Sequence, residues 1–282
     1  MNTSRFKLAY GTYGMPKIEP AAALPRLKEM GYEGIEICVA EAWPTAPGKM
    51  SKPARQALRG QLADLGLEVP SLMLLSRVLT DKPDDYRKQL DEFRAAAEMA
   101  VDLASGSAPP PLTTTLGGGP LTWEKDREQI ADRVAEWGRV AASMGVQFAV
   151  EPHVGGILAK PERAVWLLAR VPAPAVRLNF DISHFAIAGY PTDEVVDLLA
   201  PLAIHTHVKD GRMVGGKVQF LLPGEGGFDY VAYFRAMARA GWRGHITVEV
   251  SGMIFNKPDY DPWAAAKFSF DTLQAARKQM EA

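Results

Sequence analysis

A (β/α)8 barrel, one parallel sheet closed on itself inside a ring of helices, is the fold class this sequence predicts, on three observations. Short apolar runs alternate with helical segments along all 282 residues, and parallel neighbouring strands need such crossovers. Gly31, Gly66, Gly145 and Gly241 stand just past helical segments, the place where a chain takes a left-handed turn to stop a helix. Loops after the strands are long and rich in Gly, Pro and aromatic residues, whereas loops after the helices are short; barrels carry their ligand sites on the former. The length is near the ~250 residues usual for this fold, so one barrel domain over residues 1–282 is expected.

The first unit joins a strand over Lys7–Tyr13 to a helix over Pro20–Met30, closed by Gly31. Strand Gly34–Val39 precedes helix Lys52–Leu65, strand Glu68–Leu74 precedes helix Pro83–Leu103, and strand Leu112–Leu116 precedes helix Trp123–Met144. The Pro-rich stretch Ser105–Pro111 reads as a spacer on the face opposite the long loops. The second half keeps step with four more pairs: Val146–Val150 with Pro161–Ala169, Val176–Phe180 with Thr192–Leu199, Ala203–Val208 with Asp229–Ala240, and Gly244–Val250 with Trp263–Met280. An open, nucleotide-binding sheet would carry its glycine fingerprint directly before a helix, yet Gly11-Thr12-Tyr13-Gly14 runs into Met15-Pro16. The strand-following loops are 40–51, 117–120, 154–160, 211–227 and 251–261.

A formal net charge of -1 with interspersed signs offers no basic face for nucleic acid and no basic amphipathic helix for a membrane. Met1–Gly14 lacks the pattern of a secretory leader, and no apolar run approaches a membrane span, so a cytoplasmic protein is expected. The one cysteine, Cys38, has no intrachain partner and reads as a small buried side chain.

Four apolar runs break at their C-terminal ends into metal-binding residue types, delivering Glu151, Asp181, His207 and Glu249 in the same relative place. Successive positions are about one βα unit apart, the last interval lengthened by the 211–227 loop, so neighbouring strand ends can converge on one ion. Any one acid alone could as well cap a helix or pair with an arginine. Three carboxylates and an imidazole suit Mn2+ or Mg2+, with Zn2+ and Co2+ as further candidates. A sugar whose carbonyl and adjacent hydroxyl bind such an ion has an acidified α C–H, because the cation stabilises the enediolate that forms. Glu151 and Glu249, on separated strands, suit removal of a proton on one face and return on the other.

Other residues extend the site. His184 and His153 are candidates for contact with a substrate oxygen. Lys209 could stabilise an enolate or protonate a leaving group; its ordinary alternative is a salt bridge with Asp210 or a nearby Glu. Glu36 should point into the barrel, where a buried carboxylate needs an arginine or the substrate. His205 lies one layer below His207 and reads as a core histidine, and His245 faces the inactive end. Tyr10, Tyr13, Trp43, Trp123 and Phe255 could wall the site, with ordinary core or rim packing the safer reading for any one of them; Gly117-Gly118-Gly119 reads as a plain turn rather than a phosphate cradle.

Glu151-Pro152-His153, Asp181-Ile182-Ser183-His184, His205-Thr206-His207-Val208-Lys209-Asp210, Pro223-Gly224-Glu225-Gly226 and Val248-Glu249-Val250 resemble successive signatures of the xylose isomerase-like TIM-barrel superfamily. Within it, the resemblance is to the sugar phosphate isomerase/epimerase group that includes ketose 3-epimerases and inosose dehydratases. The first half matches in outline through Gly31-Tyr32-Glu33-Gly34-Ile35-Glu36. The resemblance implies Glu151, Asp181, His207 and Glu249 as ligands of one divalent metal ion, Glu151 and Glu249 as the acid/base pair, and His184 and Arg212 as substrate contacts. It implies a metal-dependent sugar isomerase or epimerase, and a chain that pairs into a homo-oligomer through rims such as Trp242 and Met253–Phe255. A lyase or dehydratase acting on an inosose or 3-keto-glycoside, and a barrel that binds sugar without turnover, are the alternatives. A three-zinc endonuclease IV-type enzyme needs histidines from early strands, and all five here lie at or beyond His153.

Overall fold

The computed structural model describes residues 6–104, 107–117, 119–171 and 175–282; Ser105 and Gly106 of the expected spacer, and Gly118 of the glycine run, lie outside them. Its strands are β1 (Lys7–Gly11), β2 (Gly34–Cys38), β3 (Leu72–Met73), β4 (Leu112–Thr115), β5 (Phe148–Glu151), β6 (Val176–Asp181), β7 (Ala203–Val208), β8 (Asp210–Val214), β9 (Lys217–Leu221) and β10 (His245–Val248). The helices are α1 (Pro20–Met30), α2 (Lys52–Asp64), α3 (Pro83–Ala104), α4 (Trp123–Ser143), α5 (Pro161–Arg170), α6 (Ile182–Ile187), α7 (Thr192–Leu199), α8 (Tyr230–Arg239), α9 (Gly252–Phe255) and α10 (Pro262–Glu281). Eight of the strands close a parallel barrel in the order β1-β10-β7-β6-β5-β4-β3-β2, while β8 and β9 form a separate hairpin.

Period-two alternation gives each barrel strand two faces. One set of residues, including Leu8, Ile35, Leu72, Leu112, Phe148, Val150, Leu178, Val208 and Ile246, joins the apolar core between sheet and helices. The other set turns into the lumen and is mostly polar: Glu36, Ser71, Thr113, Asn179, His205, His207 and Thr247 are all buried. Contacts between strands that are not neighbours, such as Glu36 of β2 with His207 of β7, span this lumen.

Several elements differ from expectation for local reasons. β1 stops at Gly11 and the chain turns through a short 3-10 helix at Thr12–Gly14. β3 is reduced to Leu72–Met73, with only an isolated bridge at Glu68, because Pro70 has no N–H to give the ladder. The 211–227 segment, expected as loop, contains most of the antiparallel β8–β9 hairpin. Gly215 and Gly216 turn it, at φ of 56° and 76°, the paired left-handed conformation that a two-residue hairpin loop requires. Among the described residues, no helix is long and apolar enough to cross a membrane.

Candidate metal centre

Glu151 ends β5, Asp181 ends β6, His207 lies near the end of β7 and Glu249 directly follows β10, so consecutive staves of the barrel deliver the four side chains to one place. One ligand atom from each lies within 4.8 Å of all the others, and all four residues are buried. Asp181 does two jobs at once. Its Oδ1 caps α6, accepting from the Ser183 backbone N–H at 2.8 Å and the Ser183 hydroxyl at 2.6 Å, which leaves Oδ2 for the cluster. Lys209 continues the lumen face of β7 and bridges Asp181 Oδ2 and Glu249 Oε2, the latter at 2.6 Å. Asp210, the other partner considered for Lys209, instead accepts from the backbone of Gly224 and Gly226 and from the Tyr230 hydroxyl, tying down the following loop.

His207 is held from below. Its Nε2 lies 2.8 Å from Glu36 Oε1, so Nε2 carries the proton and donates it. Nδ1 then faces Glu151 Oε1 at 3.3 Å, Glu249 Oε2 at 3.2 Å and Asn179 Nδ2 at 3.0 Å. Glu36 was expected to meet an arginine or substrate. It is instead fully buried against His207, His205 and Ser71, because β2 and β7 face each other across the lumen. Glu36, His205 and His207 are themselves close enough to form a second group of metal-ligand atoms.

Burial opposes charge throughout, and the neighbours decide which charges survive. It disfavours the Glu249 carboxylate, but the Lys209 ammonium and then His207 hold its pKa at about 2. Burial pushes Glu151 up, and the charge of Glu249 adds to the rise. Asp181 stays low, because Lys209 and His184 outweigh its burial. His207 is raised against its burial chiefly by Glu36, and Lys209 against its own by Asp181 and Glu249.

Around this centre stand residues that sequence reasoning had singled out and some it had missed. His184 lies 3.6 Å from Asp181 Oδ2 and 3.4 Å from Lys209 Nζ, and its ring packs 4.0 Å from that of His153. Among the described residues its Nδ1 has no hydrogen-bond partner, nor has Asn179 Oδ1. Glu151 and His153 line a cavity of about 250 Å³, and Trp43, Leu74 and Ser76 line another of about 640 Å³. Tyr13 stacks on Trp43 at 5.3 Å and meets Phe255 edge-on at 5.0 Å, so these three aromatics pack together. Burial and the charge of Glu249 raise the Tyr13 phenol to about 12, which marks it as a neighbour of the carboxylates. Tyr10 is core against Tyr32 and Trp123 packs on Trp166, the ordinary packing that was the safer reading. His205 is buried core with its Nε2 against Glu36 and Ser71, and His245 sits at the barrel floor near Glu68, both as expected.

Arg212 is not brought to the cluster. It is exposed and pairs with Gln219 Oε1 at 2.9 Å, whereas its neighbour Gly211 pairs with Phe220; alternation therefore turns Arg212 and Phe220 to opposite faces of the hairpin. Phe220, which was missed, stands over the site with its ring 5.4 Å from His184 and 5.1 Å from Lys209 Nζ. The available signal was the Gly215-Gly216 pair, which marks a hairpin and so gives Phe220 a defined face.

Oxygen donors with one imidazole nitrogen, drawn from rigid strand ends, fit a divalent cation. Comparison with known proteins agrees with the fold. Fructoselysine 3-epimerase from Escherichia coli O157:H7 is 24% identical over 259 residues, covering 88% of this chain and 91% of the relative. Inosose dehydratase from Geobacillus kaustophilus strain HTA426 is 22% identical over 258 residues, covering 80% and 78%. The solved structure of IOLI protein with a bound zinc atom has a TM-score of 0.77 at 18% identity and covers 98% of each chain. The family model for the xylose isomerase-like TIM barrel matches residues 24–274, and the chain belongs to that family.

Proposed function

We propose that this protein is a divalent-metal-dependent sugar isomerase or epimerase, working by proton abstraction beside a carbonyl. The observation that carries the reading is the pair Glu151 and Glu249, which approach the same nitrogen of His207 from β5 and from the end of β10, three staves apart. Glu151, Asp181, His207 and Glu249 would hold the cation. When bound, the ion supplies a Lewis acid that stabilises negative charge on the sugar's oxygens and acidifies the neighbouring C–H. One glutamate then takes the proton and the other returns one, and return on the opposite face inverts the carbon. Lys209, kept as an ammonium by Asp181 and Glu249, favours negative charge on the substrate. His184 and His153 offer ring nitrogens to substrate hydroxyls. Phe220 and the Tyr13–Trp43 wall limit the access of water.

The relatives include a dehydratase as well as an epimerase, which supports a second reading. The same proton is lost, and a β-substituent of an inosose or 3-keto-glycoside then leaves. Incubation of the Mn2+-loaded protein with ketohexoses, keto-inositols and 3-keto-glucosides in D2O tests both. Deuterium beside the carbonyl with a new epimer or isomer is expected. Deuterium uptake ending in an unsaturated product selects the dehydratase, and sugar binding without any exchange would defeat both in favour of a non-catalytic barrel.

A further inference from the structure

We infer that Glu36 is a positioning residue that turns Nδ1 of His207 toward the carboxylates, the nitrogen a cation there would take as its ligand, and that Ser71 and His205 hold Glu36 in place. This rests on the reading that Glu151, Asp181, His207 and Glu249 hold a cation. An imidazole nitrogen that carries a proton cannot also bind a metal, so whichever nitrogen donates to Glu36 leaves the other as the ligand. Glu36 Oε1 takes the Nε2 proton at 2.8 Å. Oε2 is occupied separately: the Ser71 hydroxyl donates to it at 2.5 Å and His205 Nε2 lies 3.0 Å away. Both carboxylate oxygens are thus assigned, and the group cannot swing away from His207 without breaking contacts to β3 and β7.

The surrounding backbone is shaped to this carboxylate. Gly11 of β1 faces it, and a Cβ there would lie 3.0 Å from Glu36 Oε1 and 3.2 Å from the Val248 carbonyl, so a side chain would crowd the oxygen that holds His207. A fully buried charge is a poor source of stability, since apolar groups of similar volume commonly do as well. Its contribution here is orientation: it fixes which nitrogen reaches the cluster, and withdrawal of such a partner weakens metal binding by about 10–100-fold.

Calorimetric titration of Zn2+ into wild type, Glu36→Gln, Ser71→Ala and Asp181→Ala tests the inference, together with 15N NMR of the His207 ring in the zinc-loaded wild type. Expected are one Zn2+ per chain, zinc on Nδ1 with the proton on Nε2, binding weakened about 10–100-fold in Glu36→Gln and by less in Ser71→Ala. Thermal unfolding of the zinc-free chains separates lost orientation from lost fold, and the NMR assignment needs no variant. Zinc on Nε2, full affinity in a folded Glu36→Gln, or a second ion held by Glu36, His205 and His207 would overturn the inference while leaving the four-residue centre intact. A wild type that binds no Zn2+, or undiminished binding in Asp181→Ala, would overturn that centre and the inference with it.

Discussion

On β5, Phe148 and Val150 face the helices while Ala149 and Glu151 face the lumen, and the two faces obey different rules. Phe148 packs 5.5 Å from Phe93 of α3 and 5.7 Å from Trp137 of α4, in an apolar layer of the kind that stabilises any α/β fold. The lumen, which in most barrels is filled by branched aliphatic side chains, here holds Glu36, Ser71, Thr113, Asn179, His205 and His207. Hydrophobic burial stabilises the shell, whereas the lumen is a hydrogen-bonded scaffold whose charges survive only through their partners. The difference teaches that stability and chemistry have been assigned to opposite faces of the same strands.

Substitutions can break or sharpen this division. The largest effect is expected at the top of the lumen: Asp181→Ala should abolish cation binding and lower metal-dependent proton exchange at least about a thousandfold, as several kcal/mol of charge stabilisation is lost. Solvent-deuterium uptake followed by NMR measures this, and near-wild-type exchange would remove Asp181 from the site. On the other face, Phe148→Ala should lower unfolding free energy by about 3–5 kcal/mol in denaturant while leaving the cation affinity of the folded protein unchanged. An equal loss of affinity would show that shell and lumen are not separable. The smallest effect belongs to the lumen floor. Burial lowers the pKa of His245 from its ordinary 6.5 to about 4, so folding favours its neutral form. Its contribution is complete above pH 6.5 and is lost as pH falls through 4, at most about 3 kcal/mol over that window. His245→Gln should flatten that part of the stability profile, and an unchanged profile would assign the acid sensitivity elsewhere.

The legible parts share one property: they depend on order along the chain. Period-two alternation and the glycine stops make β1, β2 and β4 to β7 readable to within a few residues, and the common phase of Glu151, Asp181, His207 and Glu249 points to convergence. The illegible parts depend on what stands opposite. Glu36 could be read as inward-facing, but its partners His205 and His207 come from β7 across the lumen and Ser71 from the start of the neighbouring stave, and nothing local names them. Arg212 lies close to His207 in sequence and was expected at the substrate, yet hairpin pairing turns it outward and brings Phe220 in.

The amino-acid order by itself therefore determined the barrel and the end of it at which metal-binding residue types gather, because periodicity and glycine placement act within one strand or turn. Only the tertiary structure decided that Nδ1 of His207 faces the carboxylates, that Lys209 bridges Asp181 and Glu249, and that Phe220 stands over the site. Those are relations across a closed sheet, set by barrel register and by the twist of a hairpin, and such distances have no counterpart along the chain.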